Sequence, residues 1–393
     1  MKAAVLEGPG AGLVVRDIDI AEPIGREVLV DIKASGLCHS DMNMIENPAG
    51  FPAAAVLGHE ASGVVVAVGP DVTEFEVGDH VVGCLVSHCG RCERCTTGRP
   101  YQCRNAAETM RQPGEGARLS VEGAPAIQFW NLGAFAAQML VHENNIVKVD
   151  PSIPFEKAAL LGCGVVTGAG AVINTAKTRV GDTVAVIGCG GVGLSAIQGA
   201  ALAGARRIIA VDLVPAKLEL AKRFGATDVV NPADGDVIEQ VKELTGGRGV
   251  DKSFEVIGLP QTSAQAIRML DTGGSAYLIG LHKPGSVLEI DVMRDLLVAQ
   301  RSVQGVYMGS TNFKQDIPMF ADYYLQGRLN LDDLLSHLHA AAKEGPLVGG
   351  SVGAVARLME AGNRGVARIP GKHGGAPQRF AEVEVLIPDQ IGR

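Results

Sequence analysis

Residues 183–193 read Thr-Val-Ala-Val-Ile-Gly-Cys-Gly-Gly-Val-Gly. The uncharged run Thr183 to Ile187 has the composition of a buried strand, and the small apolar residues from Val192 to Ala203 have that of a helix. Between them stands G-x-G-x-x-G in the context that gives it meaning. Gly188 makes the turn, Gly190 lets an anion approach the backbone, and Gly193 lets the helix pack on the strand. Because a helix N-terminus presents unpaired N–H groups, the loop from Gly188 through Gly191 and Val192 to Gly193 is expected to receive a pyrophosphate.

Outward toward the C-terminus the alternation continues. A strand at Arg207–Val211, a helix at Pro215–Phe224 and a strand at Asp228–Val230 are followed by strand signals at Lys252–Val256, Ser275–Ile279 and Ser302–Tyr307. Such alternation predicts an α/β domain, a doubly wound parallel sheet with helices on both faces. Asp212 ends the second strand, nineteen residues beyond Gly193. A carboxylate there accepts hydrogen bonds from both ribose hydroxyls and repels a 2′-phosphate, which selects NAD over NADP.

Toward the N-terminus the texture changes. Short β-branched runs at Val28–Ile32, Gly63–Val68 and His80–Gly83 predict an antiparallel, barrel-like β domain between Lys2 and Ser87. Periodicity fails from Arg104 to Gln128, which reads as a long surface loop of the kind that often forms a lid. Ala158–Ala176 and Thr183–Ala205 carry no charge over a length that could cross a bilayer. Their closely spaced glycines and the lack of a basic flank predict buried interior instead.

Composition narrows the class. With 393 residues, 47% hydrophobic and 20% charged, and a mean hydropathy of +0.19, the chain is not disordered. Its 35 basic and 43 acidic residues give a formal charge of −8 with no run of Lys or Arg, which argues against nucleic acid or an anionic membrane and for a small-molecule partner. No apolar segment with a cleavage site follows Met1, so export is not expected. Eight cysteines are too few for a disulfide scaffold, which suits a reducing, cytoplasmic setting.

Half of those cysteines crowd into Cys89-x2-Cys92-x2-Cys95-x7-Cys103. Four soft ligands from one loop suit a closed, tetrahedral, structural zinc site. Iron–sulfur clusters also use closely spaced cysteines, but nothing else in the chain points to electron transfer. A second set is dispersed: Cys38-His39-Ser40-Asp41, Gly58-His59-Glu60 and Gly162-Cys163-Gly164. Together Cys38, His59 and Cys163 offer two thiolates and one imidazole, three ligands that leave a fourth position for water or an alcohol oxygen.

In this order, these motifs resemble the zinc-containing alcohol dehydrogenases of the medium-chain dehydrogenase/reductase superfamily. The long segment between Cys103 and Cys163 looks closer to the liver-type and formaldehyde-oxidising branch. Two cysteines with one histidine is the ligand set already known for alcohol dehydrogenases. The resemblance covers Met1 to about Ser336. It implies a GroES-like catalytic domain at residues 1–164 with the structural zinc loop, a Rossmann NAD-binding domain at 165–307, and a return segment at 308–393. It further implies a catalytic zinc on Cys38, His59 and Cys163 with Glu60 able to approach it, Asp41 hydrogen-bonded to the histidine, and Ser40 accepting the alcohol proton. His39, Thr167, Lys217, Val256 and Leu281 would serve the cofactor, and Leu85, Phe129 and Trp130 would wall the substrate pocket. The single Trp of the chain falling there suggests a bulky apolar slot.

Two departures stand out. Asn43 occupies the place where liver-type enzymes keep a histidine that passes the proton to solvent, and an amide cannot titrate near neutral pH. The return segment is only loosely visible in Gly353–Ile369, and residues 370–393 match nothing in the family pattern.

The implied function is reversible oxidation of primary, allylic or aromatic alcohols to aldehydes with hydride transfer to NAD, in a homo-oligomer holding two zinc ions per chain. One rival is dehydrogenation of an S-(hydroxymethyl)thiol, the formaldehyde adduct, for which Arg104, Arg111 and Arg118 are the nearby candidates to hold carboxylates. A rival of another class is a zinc- and NAD-binding sensor or structural protein without turnover; intact Cys38, His59 and Cys163 argue against it, since a binding module has no use for an open metal position.

Overall fold

The computed structural model describes residues 1–8, 12–46 and 53–335. Its described residues divide into two compact units, Met1–Cys163 with Asn312–Leu325 and Leu331–Leu335, and Gly164–Thr311 with Gln326–Asn330.

In the first unit the antiparallel reading holds for Lys2 to Ser87, and the one parallel pair among this unit's described strands joins Ile127–Gln128 to Ala55–Val56. A five-stranded sheet runs Gln138–His142, Glu27–Gly36, Glu60–Val68, His80–Gly83, Ile146–Lys148, every neighbouring pair antiparallel. A four-stranded sheet runs Ile127–Gln128, Ala55–Val56, Lys2–Leu6, Leu13–Asp17. The core on this second sheet gathers Leu6, Leu13, Leu37, Leu57, Leu119 and Phe135, all with at most 2% of their surface exposed. Burying such side chains contributes roughly 1.5–3 kcal/mol each.

The segment Arg104–Gln128 is not the featureless loop its sequence predicts. It contains a 3-10 turn at Ala106–Thr109 and short strands Leu119–Val121 and Ala124–Pro125, the first of which pairs with Asp19–Ile20. Strands this short cannot display a period, and the partner of the first lies about a hundred residues away, so no local pattern marks it. Arg118 is itself buried here, which ties the segment to the body of the unit.

In the second unit the six-stranded parallel sheet runs Asp228–Val230, Arg207–Val211, Thr183–Ile187, Val250–Glu255, Leu270–Leu278, Ser302–Gly305. Numbered along the chain within this unit the order is 3-2-1-4-5-6, the doubly wound arrangement. The strand at Val250 starts earlier than its hydrophobic run suggests because Asp251 anchors its neighbour, accepting the Thr183 N–H on its carboxylate at 2.7 Å. Phe155–Thr175 is the one helix among the described residues long and apolar enough to cross a membrane, and 78% of its most apolar window is buried in the protein. It widens to i→i+5 turns at Leu161–Val165 and Ala171–Thr175. The expected return segment at Gly353–Ile369 and the 370–393 tail lie outside the described residues.

Candidate active site and metal centres

Sheet register assembles the first cluster. Gly36 pairs with Glu60, so Cys38, two residues past one strand, and His59, one residue before the other, leave the same end of the same pair. Glycine is required at both ends. A Cβ on Gly36 would collide with the Glu60 carboxylate, and Gly58, at φ +92°, lies against Phe135. The third segment arrives by helix: the Ser62 hydroxyl donates to the Phe155 carbonyl at 2.6 Å, and Gly162 sits so close to the Gly83 carbonyl that no side chain fits. Cys163 then falls in the wide turn of that helix, a distortion that recurs at functional sites. One ligand atom from each of Cys38, His59, Glu60 and Cys163 lies within 4.8 Å of all the others.

Asp41 orients the imidazole. It is fully buried, and its carboxylate accepts the Cys38 N–H and the Gly58 N–H, both at 3.1 Å, while Oδ1 lies 3.1 Å from His59 Nδ1. With Asp41 keeping a proton on Nδ1, a metal that displaced the other proton would find the Nε2 lone pair facing the cluster. The Ser40 hydroxyl is 3.4 Å from that Nε2. Cys38 and Cys163 share a proton between them, with Cys38 pushed down by the hydrogen bond from Cys163 and Cys163 pushed up by the same bond and by burial. Burial opposes the His59 cation, yet the charges of Asp41 and Cys38 outweigh it and hold the ring well above its ordinary 6.5. Burial, together with the Cys38 charge, raises the Glu60 carboxyl to about 8. A largely buried set in which two sulfurs and a carboxylate, mutually repelling as anions, surround one imidazole is a set that a divalent cation would satisfy, and softness favours zinc.

An aromatic wall stands beside the cluster. The Trp130 and His59 rings meet in a T-shaped arrangement, centroids 4.7 Å apart, and Trp130 stacks on Phe129 at 4.2 Å. Leu85 and Phe129 are buried and Trp130 is partly exposed. Asn43 is half-buried on the helix His39–Glu46, and His39 is exposed on its first turn.

The four-cysteine loop fits zinc by geometry. For tetrahedral ligation with Zn–S near 2.3 Å, sulfur atoms should stand about 3.8 Å apart. Here Cys92–Cys95, Cys92–Cys103 and Cys89–Cys95 stand at 3.5, 3.9 and 4.0 Å. Backbone N–H groups of Cys92, Cys89 and Asn105 aim at Cys89 and Cys103 sulfur at 3.3–3.4 Å, as expected around thiolates. Backbone N–H groups also lower the Cys92 thiol to about 6.

In the second unit the glycine loop has the predicted anatomy. Gly188 has φ +101°, a Cβ on Gly193 would strike the Gly188 carbonyl, and a Cβ on Gly190 would meet nothing within 4 Å, which leaves a cradle for an anion before the helix Gly191–Leu202. Asp212 is held by two backbone donors, Cys189 N–H at 2.8 Å and Val214 N–H at 2.9 Å. The Val256 N–H donates to the Ile187 carbonyl, and Gly258 abuts the Leu281 backbone, so both candidate residues lie at the carboxyl ends of the strands. Lys217, on the helix Pro215–Arg223, is half-buried. The Thr167 hydroxyl donates to Met308 sulfur at 3.5 Å.

Sequence reading missed three features. Glu255 is fully buried and its Oε1 accepts from Ile257 N–H, Gly258 N–H and Thr262 Oγ1 at 2.8–2.9 Å, pinning the loop that carries Val256. Gly36 makes room for Glu60, a need visible only once the register is known. Arg111 and Arg118, the candidates to hold carboxylates in the rival thiol-adduct reading, both grip Glu27 at 2.7 Å, and Arg104 faces Glu93 at 3.6 Å. A buried carboxylate needs such partners, so Arg111 and Arg118 are structural.

Comparison with known proteins agrees with this geometry. Residues 25–151 match the alcohol dehydrogenase GroES-like domain family and residues 191–322 the zinc-binding dehydrogenase family. An S-(hydroxymethyl)glutathione dehydrogenase of Photobacterium damsela subsp. piscicida is 40% identical over 344 residues, covering 86% of this chain and 92% of that protein. The crystal structure of an alcohol dehydrogenase zinc-binding domain protein from Burkholderia ambifaria aligns with TM-score 0.80 at 39% identity, over 87% of this chain and 95% of the other. Benzyl alcohol dehydrogenase from Acinetobacter calcoaceticus aligns with TM-score 0.79 at 38% identity, over 84% and 91%. The chain therefore belongs to the zinc-containing alcohol dehydrogenases of the medium-chain dehydrogenase/reductase superfamily, oxidoreductases that use NAD.

Proposed function

We propose that this protein oxidises primary, allylic or aromatic alcohols reversibly to aldehydes on the Cys38, His59 and Cys163 cluster. The observation that carries the reading is the meeting of those three donors with Glu60 in one cluster, Cys38 half-buried and the other three buried, beside the Ser40 hydroxyl and the indole of Trp130. Zinc there supplies a Lewis acid that lets an alcohol ionise near neutrality, and NAD supplies the hydride acceptor. The chain does the rest. Asp41 keeps His59 in one tautomer, Ser40 takes the alcohol proton, and Phe129, Trp130 and Leu85 keep water from the reacting carbon. Asp212 selects the unphosphorylated ribose, while His39, Thr167, Lys217, Val256 and Leu281 are the remaining cofactor-facing positions by the family's motifs. We assign a second, structural zinc to Cys89, Cys92, Cys95 and Cys103, and residues 1–164, 165–307 and 308–393 to catalytic, NAD-binding and return segments.

A second reading, oxidation of an S-(hydroxymethyl)thiol, is favoured by the name of the Photobacterium relative. Against it, Arg111 and Arg118 are committed to Glu27. NADH absorbance across aliphatic, allylic and aromatic alcohols and formaldehyde–thiol adducts separates the two: aromatic alcohols should lead, and exclusive use of the adduct would reverse the order. The same reading takes the protein as a cytoplasmic homo-oligomer. Supporting the latter, Ser302–Gly305 is the edge of the parallel sheet among the described residues, and Val287, Val292, Met293, Leu297 and Val298 are exposed.

A further inference from the structure

The turn that carries Trp130 is strained. Trp130 has φ +49° and ψ +34°, a region that bulky residues avoid, and Asn131 follows it there at φ +59°, which an asparagine tolerates. Such a turn persists only where its surroundings hold it.

The holding groups form one continuous polar network. Asn131 Nδ2 donates to Ser87 Oγ at 3.0 Å and Thr109 Oγ1 at 3.5 Å. On the other flank, Gln128 Nε2 donates to the Leu132 carbonyl at 3.0 Å and the Leu140 carbonyl at 2.8 Å, which closes the turn. Both flanks meet at Arg118. Its Nη1 donates to Gln128 Oε1 at 3.4 Å, its Nη2 to the Thr109 carbonyl at 2.6 Å, and its Nε to Glu27 Oε1 at 2.7 Å. Glu27 also receives Arg111, and Glu27, Arg118 and Thr109 are all buried. A guanidinium suits this position because its fork fixes several acceptors at once, which an ammonium cannot.

We propose that the Glu27–Arg118 pair, acting through Gln128, Thr109 and Asn131, positions the indole of Trp130 against His59 and thereby sets the preference for bulky over small alcohols. If the turn relaxes toward ordinary backbone, the indole swings off His59. A ring-bearing alcohol then loses its aromatic wall, whereas a two-carbon alcohol, too short to reach that wall, loses nothing. The selectivity half of this proposal rests on the alcohol reading above; the positioning half does not.

Trp130 is the only tryptophan in the chain, so its emission reports the turn directly. Two variants serve. Asn131→Gly keeps the left-handed backbone accessible but removes the amide, and Arg118→Lys keeps a charge opposite Glu27 but removes the fork. Both should red-shift the emission and increase quenching by acrylamide. Both should also raise KM for benzyl alcohol about tenfold while leaving that for ethanol within about twofold, the scale of pocket discrimination. Emission and quenching unchanged in both variants would overturn the proposal; emission that moves while the two KM values rise equally would overturn the selectivity half. Wild-type protein inactive on every alcohol would sink the alcohol reading, and the fluorescence would still decide the positioning. Should Arg118→Lys fail to fold, Asn131→Gly decides alone.

Discussion

His59 Nδ1 lies 3.1 Å from Asp41 Oδ1 with both side chains fully buried, and the same carboxylate accepts the Cys38 and Gly58 backbone N–H groups. One side chain therefore fixes the imidazole and the chain segments that bear Cys38 and His59. Asp41→Asn removes the charge while keeping the shape. It should weaken zinc binding at this cluster by about 10- to 100-fold, the usual cost of losing a group that orients a metal-ligating histidine. Competition against a chromophoric chelator measures this, and affinity equal to wild type would contradict it.

Asp212 is held at the strand end by the Cys189 and Val214 N–H groups, ready for a ribose. Asp212→Gly should raise KM for NAD and narrow its advantage over NADP, through loss of ribose hydrogen bonds and of repulsion against a 2′-phosphate. Steady-state kinetics with both cofactors check this. Wild-type protein that already prefers NADP would refute the assignment.

With Asn43 where the family's liver-type members keep a histidine, the proton that Ser40 accepts must pass to water or another base. Ser40→Ala should lower turnover on the order of hundredfold or more. Asn43→His should raise activity on the acidic side of the optimum by a smaller factor. The pH profiles of both variants, with solvent isotope effects, test the relay. If Ser40→Ala stays active while Asn43→Ala does not, His39 becomes the residue to examine.

Glu27 supplies a pH dependence of stability. Burial pushes its carboxyl up, but hydrogen bonds from Arg111 and Arg118 outweigh that and hold it below the ordinary 4.5. A carboxyl depressed in the folded state contributes fully above its unfolded value and loses that contribution as pH falls through the folded one. Stability from this pair is thus present above about pH 4.5 and lost in more acidic solution. Glu27→Gln leaves two arginines without their carboxylate and should cost about 3 kcal/mol at neutral pH. Urea denaturation at neutral and acidic pH should show the gap between variant and wild type closing on the acid side; a gap independent of pH would contradict the assignment.

What the sequence made legible was whatever a local rule constrains. Gly188, Gly190 and Gly193 each answer one steric need of one turn, and four cysteines in one loop can reach one metal without any knowledge of the fold. For the dispersed Cys38, His59 and Cys163 the residue types offered a ligand set but only the family resemblance assigned them one zinc, because the Gly36–Glu60 register and the Gly162–Gly83 contact that unite them are tertiary. Arg111 and Arg118 were misread for the same reason. Their partner Glu27 lies 84 and 91 residues away, and an arginine in a polar stretch carries no mark of being buried. Likewise the left-handed backbone of Trp130, which a bulky residue does not choose for itself, is held by clamps on Ser87, Thr109 and Leu140 that no local pattern marks.

The central claim is that turnover depends on a metal held by Cys38, His59 and Cys163, separate from the one held by the four-cysteine loop. Zinc content and NADH production measured together on purified Cys163→Ser test it most directly. The account predicts two zinc ions per chain in active wild type, one in Cys163→Ser, and no turnover in the folded variant. Active wild-type protein with a single zinc ion, or a Cys163→Ser variant that still produces NADH from alcohol, would contradict it.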